Sequence, residues 1–292
     1  MGRLGYQSEA QASLAVSYNS LEGYAASLHE ALTRPYPAYE KVGIVNPGGE
    51  YNQLATTLLQ IENEFYSSIR AKRPVRRGER PLHALRSRGV EYVEARLMDL
   101  DPFAPVGITA QTMRFLDIFL LHCLLADSPP DDRKELGEVA QNKLLAAQRG
   151  REPGLALTRR GEKVPLRDWG AALLAQCEPV AAALDGAHGG AAYRDALAQA
   201  LGVMKDPESA PSARVLHAME RNHGNSYVRF VHAMSLLHRA SNNGSKLPPE
   251  LQGKGEKQAV ESLAEQRRIE EADDVDFETY RRRFLSPELL KV

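Results

Sequence analysis

GVEYVEARLMDLDPF, residues 89–103, reads as a short strand running into a turn. Successive side chains of a strand point to opposite faces, so Val93, Ala95 and Leu97 are expected on one side and Tyr92, Glu94 and Arg96 on the other. One face suits a core. The opposite face groups a phenol, a carboxylate and a guanidinium, a set suited to holding a cation and a phosphate side by side. DPFAP then turns the chain out of the strand.

Upstream, LLQIENEFY (58–66) alternates for most of its length, with Leu59, Ile61 and Phe65 against Gln60, Glu62, Glu64 and Tyr66. The pattern predicts a second half-buried strand with an acidic face. Between the two strands lies a basic run containing Arg70, Lys72, Arg73, Arg76, Arg77, Arg80, Arg86 and Arg88. Pro74, Gly78, Pro81 and Gly89 interrupt it, so it reads mainly as a loop with one helical turn at LHAL. Further upstream, residues 1–16 read as loop, and SYNSLEGYAASLHEAL carries apolar residues at helical spacing with Ser17 as the cap. Pro35 and Pro37 end that helix, and NPGGE (46–50) is a turn.

Downstream the pattern is helical. Thr109 can cap a helix running to about Asp127, and its apolar residues go nearly all the way round, as in a central core helix. Further helices are expected at about 131–149, 166–184, 190–203, 211–221 and 225–240, with SNNGSKLPPELQGKGEK (241–257) as a linker. The charged tail beyond it reads as a peripheral helix with an extension packed back on the body.

The chain has 292 residues, 43% hydrophobic and 26% charged, a balance typical of a globular protein. A formal net charge of −1 gives no overall pull toward nucleic acid or an anionic membrane. The run FLDIFLLHCLLA (115–126) contains Asp117 and His122 and is shorter than the ~20 residues that span a bilayer. The start, MGRLGYQSEAQASLAV, lacks the apolar segment of a secretory signal, so a cytoplasmic location is expected. Cys123 and Cys177, both in apolar surroundings, are expected to be buried reduced thiols.

No GxxxxGK[ST], strand-linked GxGxxG, CxxC, HExxH or GxSxG pattern occurs. The basic run lacks the interleaved aromatics of a nucleic-acid surface, leaving a solvated face or a polyphosphate contact as its readings. If the two predicted strands share a sheet, their acids converge beside an arginine. Carboxylates are the ligands Mg²⁺ prefers, and a guanidinium neutralises a transferring phosphoryl group. An ordinary exposed strand face laced with salt bridges would show the same spacing.

LLQIENEFYSSIRAKR (58–73), GVEYVEARLMDLDPFAPVGI (89–108) and QTMRFLDIFLLHCLLADSP (111–129) resemble, in order, the proteobacterial type of glutamate–cysteine ligase. LGYQSEAQASLAVSYNSLEGY near the start and REPGLAL at 151–157 agree, and the resemblance runs over about residues 3–160. It implies ATP-dependent joining of the glutamate γ-carboxyl group to the cysteine amine through an acyl phosphate, with ATP as substrate and Mg²⁺ as cofactor. It implies an α+β fold, part of a glutamine-synthetase-like antiparallel sheet followed by a mostly helical region. By position in the motifs, Glu94 matches a metal ligand, Arg96 the residue on the transferred phosphate, and Tyr66 and Tyr6 the tyrosines of the cysteine pocket.

Members of that family carry a long segment before the LGY motif, with most of the metal-binding acids. This chain opens just inside it, so the resemblance implies the C-terminal part of the enzyme, with the preceding segment as its partner and doubtful activity alone. The expected division is a partial catalytic sheet region at 1–105, a helical region packed on it at 106–245, and a linker with a peripheral tail at 246–292. A non-catalytic subunit that retains the fold is the alternative. Expected partners are glutamate, cysteine and ATP, with neither nucleic acid nor membrane among them.

Overall fold

In the structure, a computed structural model, residues 10–14, 16–96, 98–244 and 246–290 are described. Tyr6 and Leu97 lie outside the described residues. Two hydrophobic cores organise the chain, each assembled around one helix whose apolar positions recur at helical spacing.

The first core forms on α1, Leu21–Thr33, which buries Tyr24, Ala25, Leu28, Ala31 and Leu32 along one face. Its cap is Ser20 and not Ser17: the Ser20 hydroxyl accepts from the Gly23 amide at 3.0 Å. Pro37 then opens a short α2, Pro37–Val42, and the NPGGE turn follows as expected, closed by Asn46 and Glu50. The chain returns antiparallel to the end of α1, where the Leu58 and Leu59 amides donate to the Arg34 and Ala31 carbonyls at 2.9 Å.

The expected strand at 58–66 is absent. Glu62–Glu64 is a single 3₁₀ turn, and Leu59 and Phe65 reach the core from a bent segment. Alternation in this stretch reflects contact with α1 and not pairing in a sheet. The basic run is more ordered than the sequence suggests: it supplies β1, Ile69–Lys72, and a full α3, Pro81–Arg88. Leu82, Ala84 and Leu85 of α3 are buried, with Leu82 and Leu85 in the α1 core, and Gly89 at φ +74° ends the helix in a conformation other residues rarely adopt. β2, Tyr92–Ala95, pairs antiparallel with β1, placing Arg70 opposite Glu94 and Lys72 opposite Tyr92.

The second core is helical. Thr109 caps α4, Ala110–Leu125, accepting from the Thr112 amide at 3.1 Å. α5, Arg133–Arg149, leads to a hairpin that the periodicity does not reveal, β3, Ala156–Arg159, paired with β4, Glu162–Pro165. The expected helix at 166–184 is two, α6, Leu166–Gln176, and α7, Glu178–His188. They divide at Cys177, just before Pro179, which has no amide to continue the ladder. With α8, Ala192–Lys205, they bury Ile118, Leu174, Cys177, Ala181 and Leu197.

α4 is not enclosed as expected. Among its residues only Ile118 is buried, while Met113, Leu124 and Leu125 are 55%, 78% and 74% exposed. Its neighbours α7 and α8 cover one side only. Cys123 is exposed for the same reason: five residues from Ile118 it lies about 140° around the helix. Cys177 is buried as expected, and both thiols are free.

α9, Pro211–Asn222, and α10, Tyr227–Gly244, pack against each other and are held to the 101–107 loop. Phe230 packs near Phe103, and the His238 ring meets the Pro102 carbonyl at 2.8 Å. The expected linker is mostly helix, because α11 spans Pro249–Glu271 and only the residues between Gly244 and Pro249 separate it from α10. α12, Phe277–Phe284, and the turn Pro287–Leu290 return to the first core, where Leu290 is buried and Arg86 donates to its carbonyl at 2.9 Å.

Candidate functional site

The β1–β2 ladder carries the site. Arg96 lies one residue past β2, yet its amide still donates to the Ser68 carbonyl at 2.7 Å, so the strand geometry holds through position 96. Alternation therefore puts Tyr92, Glu94 and Arg96 on one face, opposite Lys72 and Arg70 of β1. Arg96 Nε donates to Glu94 Oε2 at 2.6 Å, and Lys72 Nζ lies 3.7 Å from the same oxygen. The hydrogen bond from Arg96, together with the charges of Lys72 and Arg70, holds the Glu94 carboxyl below the usual carboxylate range. Glu94 in turn pushes the Arg96 guanidinium up, with Tyr66 adding to the effect. About a third of each side chain of the Glu94–Arg96 pair remains accessible, 34% and 27%.

The Arg96 guanidinium carbon stands 5.3 Å from the Tyr66 ring centre, a cation–π contact. Two side chains from the start of the chain fix the loop that carries Tyr66. Gln11 Nε2 donates to the Glu64 carbonyl at 2.8 Å, and its Oε1 faces the Tyr66 amide at 3.5 Å. Tyr18 Oη meets Ser67 Oγ and the Ile69 carbonyl, each at 2.9 Å. Burial pushes the Tyr18 phenol up despite that hydroxyl contact, so it is a neutral donor at ordinary pH. The structure thus brings Glu94, Arg96 and Tyr66 to one surface.

It does not bring Glu62 and Glu64 there. Glu62 is buried, with the Arg80 guanidinium forked onto it: Nε donates at 3.0 and 3.1 Å to its two oxygens, and Nη2 at 2.8 Å to Oε2. The Leu82 amide adds a contact at 3.3 Å. A carboxylate taken from water must be matched by an opposite charge, and the basic run supplies it. Glu64 caps its own turn, accepting from the Gln60 amide at 2.7 Å. The acidic face read from residues 58–66 is therefore structural.

The basic run is solvated only in part: Arg76, Arg77 and Arg86 are exposed, while others are engaged within the fold. Arg70 donates to the Glu62 carbonyl at 3.0 Å, Arg73 pairs with Glu91 at 2.6 Å, and Arg88 grips Glu79 at 2.6 and 2.8 Å. What the sequence reading missed is Lys72, which the register of β1 adds to the Glu94 face. Its signal was there in outline: Arg70 and Lys72 keep the same two-residue spacing as Glu94 and Arg96.

Among the described residues no three histidine, cysteine or acidic side chains gather closely enough to hold a metal ion. Glu94 is one carboxylate, already engaged by two cations, so the described residues by themselves do not make a magnesium site.

Residues 1–145 match the family model described as glutamate-cysteine ligase. The glutamate–cysteine ligases of Pseudomonas entomophila strain L48 and Pseudomonas paraeruginosa are each 46% identical over 280 residues, 96% of this chain and 52% and 53% of those relatives. The chain therefore spans about half the length of the curated relatives it matches, and the similarity reaches well past residue 160. The solved structure of a Francisella tularensis glutamate–cysteine ligase in complex with AMP superposes with a TM-score of 0.88 at 32% identity, covering 95% of this chain and 55% of that one. A bifunctional glutathione synthetase from Pasteurella multocida shares the fold at a TM-score of 0.52 and 20% identity, covering 78% of this chain and 25% of that one.

Proposed function

We propose, for a chain that belongs to the glutamate–cysteine ligase family and has its α+β fold, that it supplies one wall of an ATP-dependent ligation site. In this reading the γ-carboxylate of L-glutamate attacks the γ-phosphorus of ATP and ADP leaves. The L-cysteine amine then adds to the acyl carbon of the γ-glutamyl phosphate, inorganic phosphate departs, and the amine loses a proton to give γ-glutamylcysteine. The observation that carries it is the meeting of Glu94, Arg96 and Tyr66 on one half-buried face of the β1–β2 ladder; Val93 and Ala95 on the other face are exposed and do not meet a core as the alternation suggested, because β2 is an edge of a two-stranded sheet.

Phosphoryl transfer requires neutralisation and positioning more than a protein nucleophile. Arg96 is the phosphate-facing group, held in place by Glu94 at one edge and the Tyr66 ring at the other. Tyr66 lines the cysteine pocket, and Tyr6 shares that role in the proposal. A divalent cation, when bound, would neutralise phosphate charge. Glu94 is proposed as one of its ligands, with the others outside the described residues. AMP in the Francisella tularensis structure supports a nucleotide as the phosphoryl donor's class. The division at about 105 is retained as part of this reading, supported by two separate cores, and the one at about 245 is retained with it although Leu290 of the tail packs in the first core. A cytoplasmic setting belongs to it as well. Among the described residues no helix is long and apolar enough to cross a membrane.

The chain's partner in this proposal is the remainder of the same enzyme. Glutamate- and cysteine-dependent ATP hydrolysis is measured for this chain alone and after adding the unmatched remainder of the Pseudomonas entomophila relative. Activity that appears only in the mixture supports the reading. A co-purifying, folded mixture that stays silent overturns it and favours the non-catalytic subunit.

A further inference from the structure

We infer that Tyr18 is a positioning residue for the site and that Asn19 beside it ties the same loop to the start of α5. Residues 17–19 then form one joint through which the helical region sets the place of Tyr66 and Arg96. The inference deepens the proposed ligation and rests on the reading of Tyr66 as part of the cysteine pocket.

Tyr66 is anchored through both of its chain neighbours. On one side the buried Phe65 ring meets the buried Tyr24 ring edge-on at 6.4 Å, and on the other Ser67 Oγ meets Tyr18 Oη at 2.9 Å. Tyr18 and Tyr24 are themselves in ring contact at 5.3 Å, so the two anchors are one unit. The Tyr18 hydroxyl also donates to the Ile69 carbonyl at 2.9 Å, where Ile69 opens β1 opposite Ala95. The carbonyl just before it, of Ser68, accepts from the Arg96 amide at 2.7 Å. One hydroxyl therefore reaches both the backbone that carries Tyr66 and the backbone that sets Arg96 in register.

The next residue reaches a different segment. Asn19 Nδ2 donates to the Asp131 carbonyl at 3.0 Å, and its Oδ1 accepts from the Asp131 amide at 2.8 Å. A side-chain amide has one acceptor and one donor group to offer, and here both go to the same residue's backbone, a two-point contact that fixes direction as well as distance. Asp131 immediately precedes Asp132, the cap of α5. The Asp131 side chain itself adds only a contact from Ser17 Oγ at 3.4 Å. Ser20, one residue further on, caps α1. Four consecutive residues thus hold α5, the Tyr66 loop and α1 together, and Tyr18 and Asn19 act on the chemistry through Tyr66 and Arg96.

Four variants test it. Tyr18→Phe keeps the ring on Tyr24 and removes the hydroxyl, and Asn19→Ala removes both contacts to Asp131. The third combines the two, and Asp131→Ala leaves the Asn19 contacts in place because they run to backbone atoms. Hydrogen–deuterium exchange on the full chain reads the 64–70 segment directly, and the KM for cysteine and kcat of the reconstituted mixture read the consequence for ligation. Tyr18→Phe is expected to speed exchange in 64–70 about tenfold, the order of one lost hydrogen bond, and to leave α7 and α8 unchanged. It should raise the KM for cysteine about tenfold on the same ground while the KM for ATP stays put. A merely destabilised chain would lose active molecules, which lowers apparent kcat and leaves both KM values alone. Asn19→Ala should act in the same direction and more weakly, the double variant should match Tyr18→Phe because both residues work by one route, and Asp131→Ala should behave as wild type.

Wild-type exchange in 64–70 in Tyr18→Phe overturns the inference, as does faster exchange spread over the whole chain with only kcat reduced. Effects of Tyr18→Phe and Asn19→Ala that simply add overturn the part assigned to Asn19. Faster exchange confined to 64–70 with an unchanged KM for cysteine upholds the joint and overturns the reading of Tyr66 as part of the cysteine pocket. A mixture silent even with the unmodified chain overturns the proposed ligation, and the exchange results then decide the joint by themselves.

Discussion

Arg96 and Lys72 both carry one positive charge on this ladder, yet they are not equivalent. Arg96 presents a planar fork that donates to Glu94 along one edge and has its guanidinium carbon 5.3 Å from the Tyr66 ring centre. A lysine at 96 keeps the charge and loses the fork. Arg96→Lys is therefore expected to lower ligation turnover in the reconstituted mixture about a hundredfold, the order seen when one stabilising donor is removed. Turnover within twofold of wild type would remove Arg96 from the chemistry. Glu62 makes the contrasting case. Its carboxylate is buried against Arg80, so Glu62→Gln leaves a buried guanidinium without its counter-charge. A loss of about 3–5 kcal/mol is expected in urea denaturation. A midpoint unchanged from wild type would show that the pair does not hold the 58–66 segment to α3. Both residues are acids or bases in strongly charged stretches; only their surroundings make one a site group and the other a structural pair.

At the scale of elements, charged side chains tie α12 and α3 to their neighbours, and their protonation sets an acid limit. Arg281 holds the Glu278 carboxyl at about 2, with Arg282 and the Tyr51 hydroxyl adding to the effect. Arg88 likewise brings Glu79 to about 2. Both carboxyls would titrate near 4.5 in the unfolded chain. Between those values the unfolded state binds more protons, so stability rises with pH there, is fully present above about 4.5, and is lost as pH falls toward 2. Thermal melts recorded from pH 6 to pH 2 should show a midpoint that begins to fall only below pH 4.5, and Glu278→Gln should flatten part of that fall. A midpoint already falling between pH 6 and 5 would place the titration elsewhere. Tyr51 Oη lies 2.9 Å from Glu278 Oε2, so the same titration loosens α12 from the Asn46–Glu50 turn region.

Across the whole molecule, α4 leaves large apolar side chains uncovered along its outer side and at its C-terminal end. Met113, Leu124 and Leu125 stand exposed on one helix, with Val106 and Leu100 also exposed in the preceding segment. Apolar surface of this kind associates. The isolated chain is expected to self-associate at micromolar concentration, and Leu124→Glu with Leu125→Glu to reduce that association while leaving helix content unchanged. Light scattering reads the first and circular dichroism the second. A monodisperse wild-type monomer at those concentrations would show that the exposed side is tolerated. Addition of the unmatched remainder of the relative should have the same effect as the two substitutions if that remainder covers α4.

Local signals were legible wherever one residue type decides the outcome. Thr109 caps α4 as its sequence announces, NPGGE turns, and Val93, Glu94 and Ala95 alternate in β2, because capping, turn and strand preferences act within a few residues. Periodicity alone misread LLQIENEFY, where Leu59 and Phe65 meet a core through a bent segment, and it overlooked the Ala156–Pro165 hairpin, whose Arg160–Gly161 turn, both residues at positive φ, is its one clear mark. The family resemblance named Glu94, Arg96 and Tyr66 as a set from motif order. Their meeting depends on Gln11 and Tyr18 fixing a loop more than 45 residues away in sequence, and no window of sequence contains that information. The sequence by itself determined the alternation that puts acid and base on one strand face, since side-chain direction is a local property of the backbone. Only the tertiary structure decided which acid stays at the surface: Glu62 and Glu94 are the same residue type, and the presence of Arg80 or of open space beside each is set by packing between distant segments.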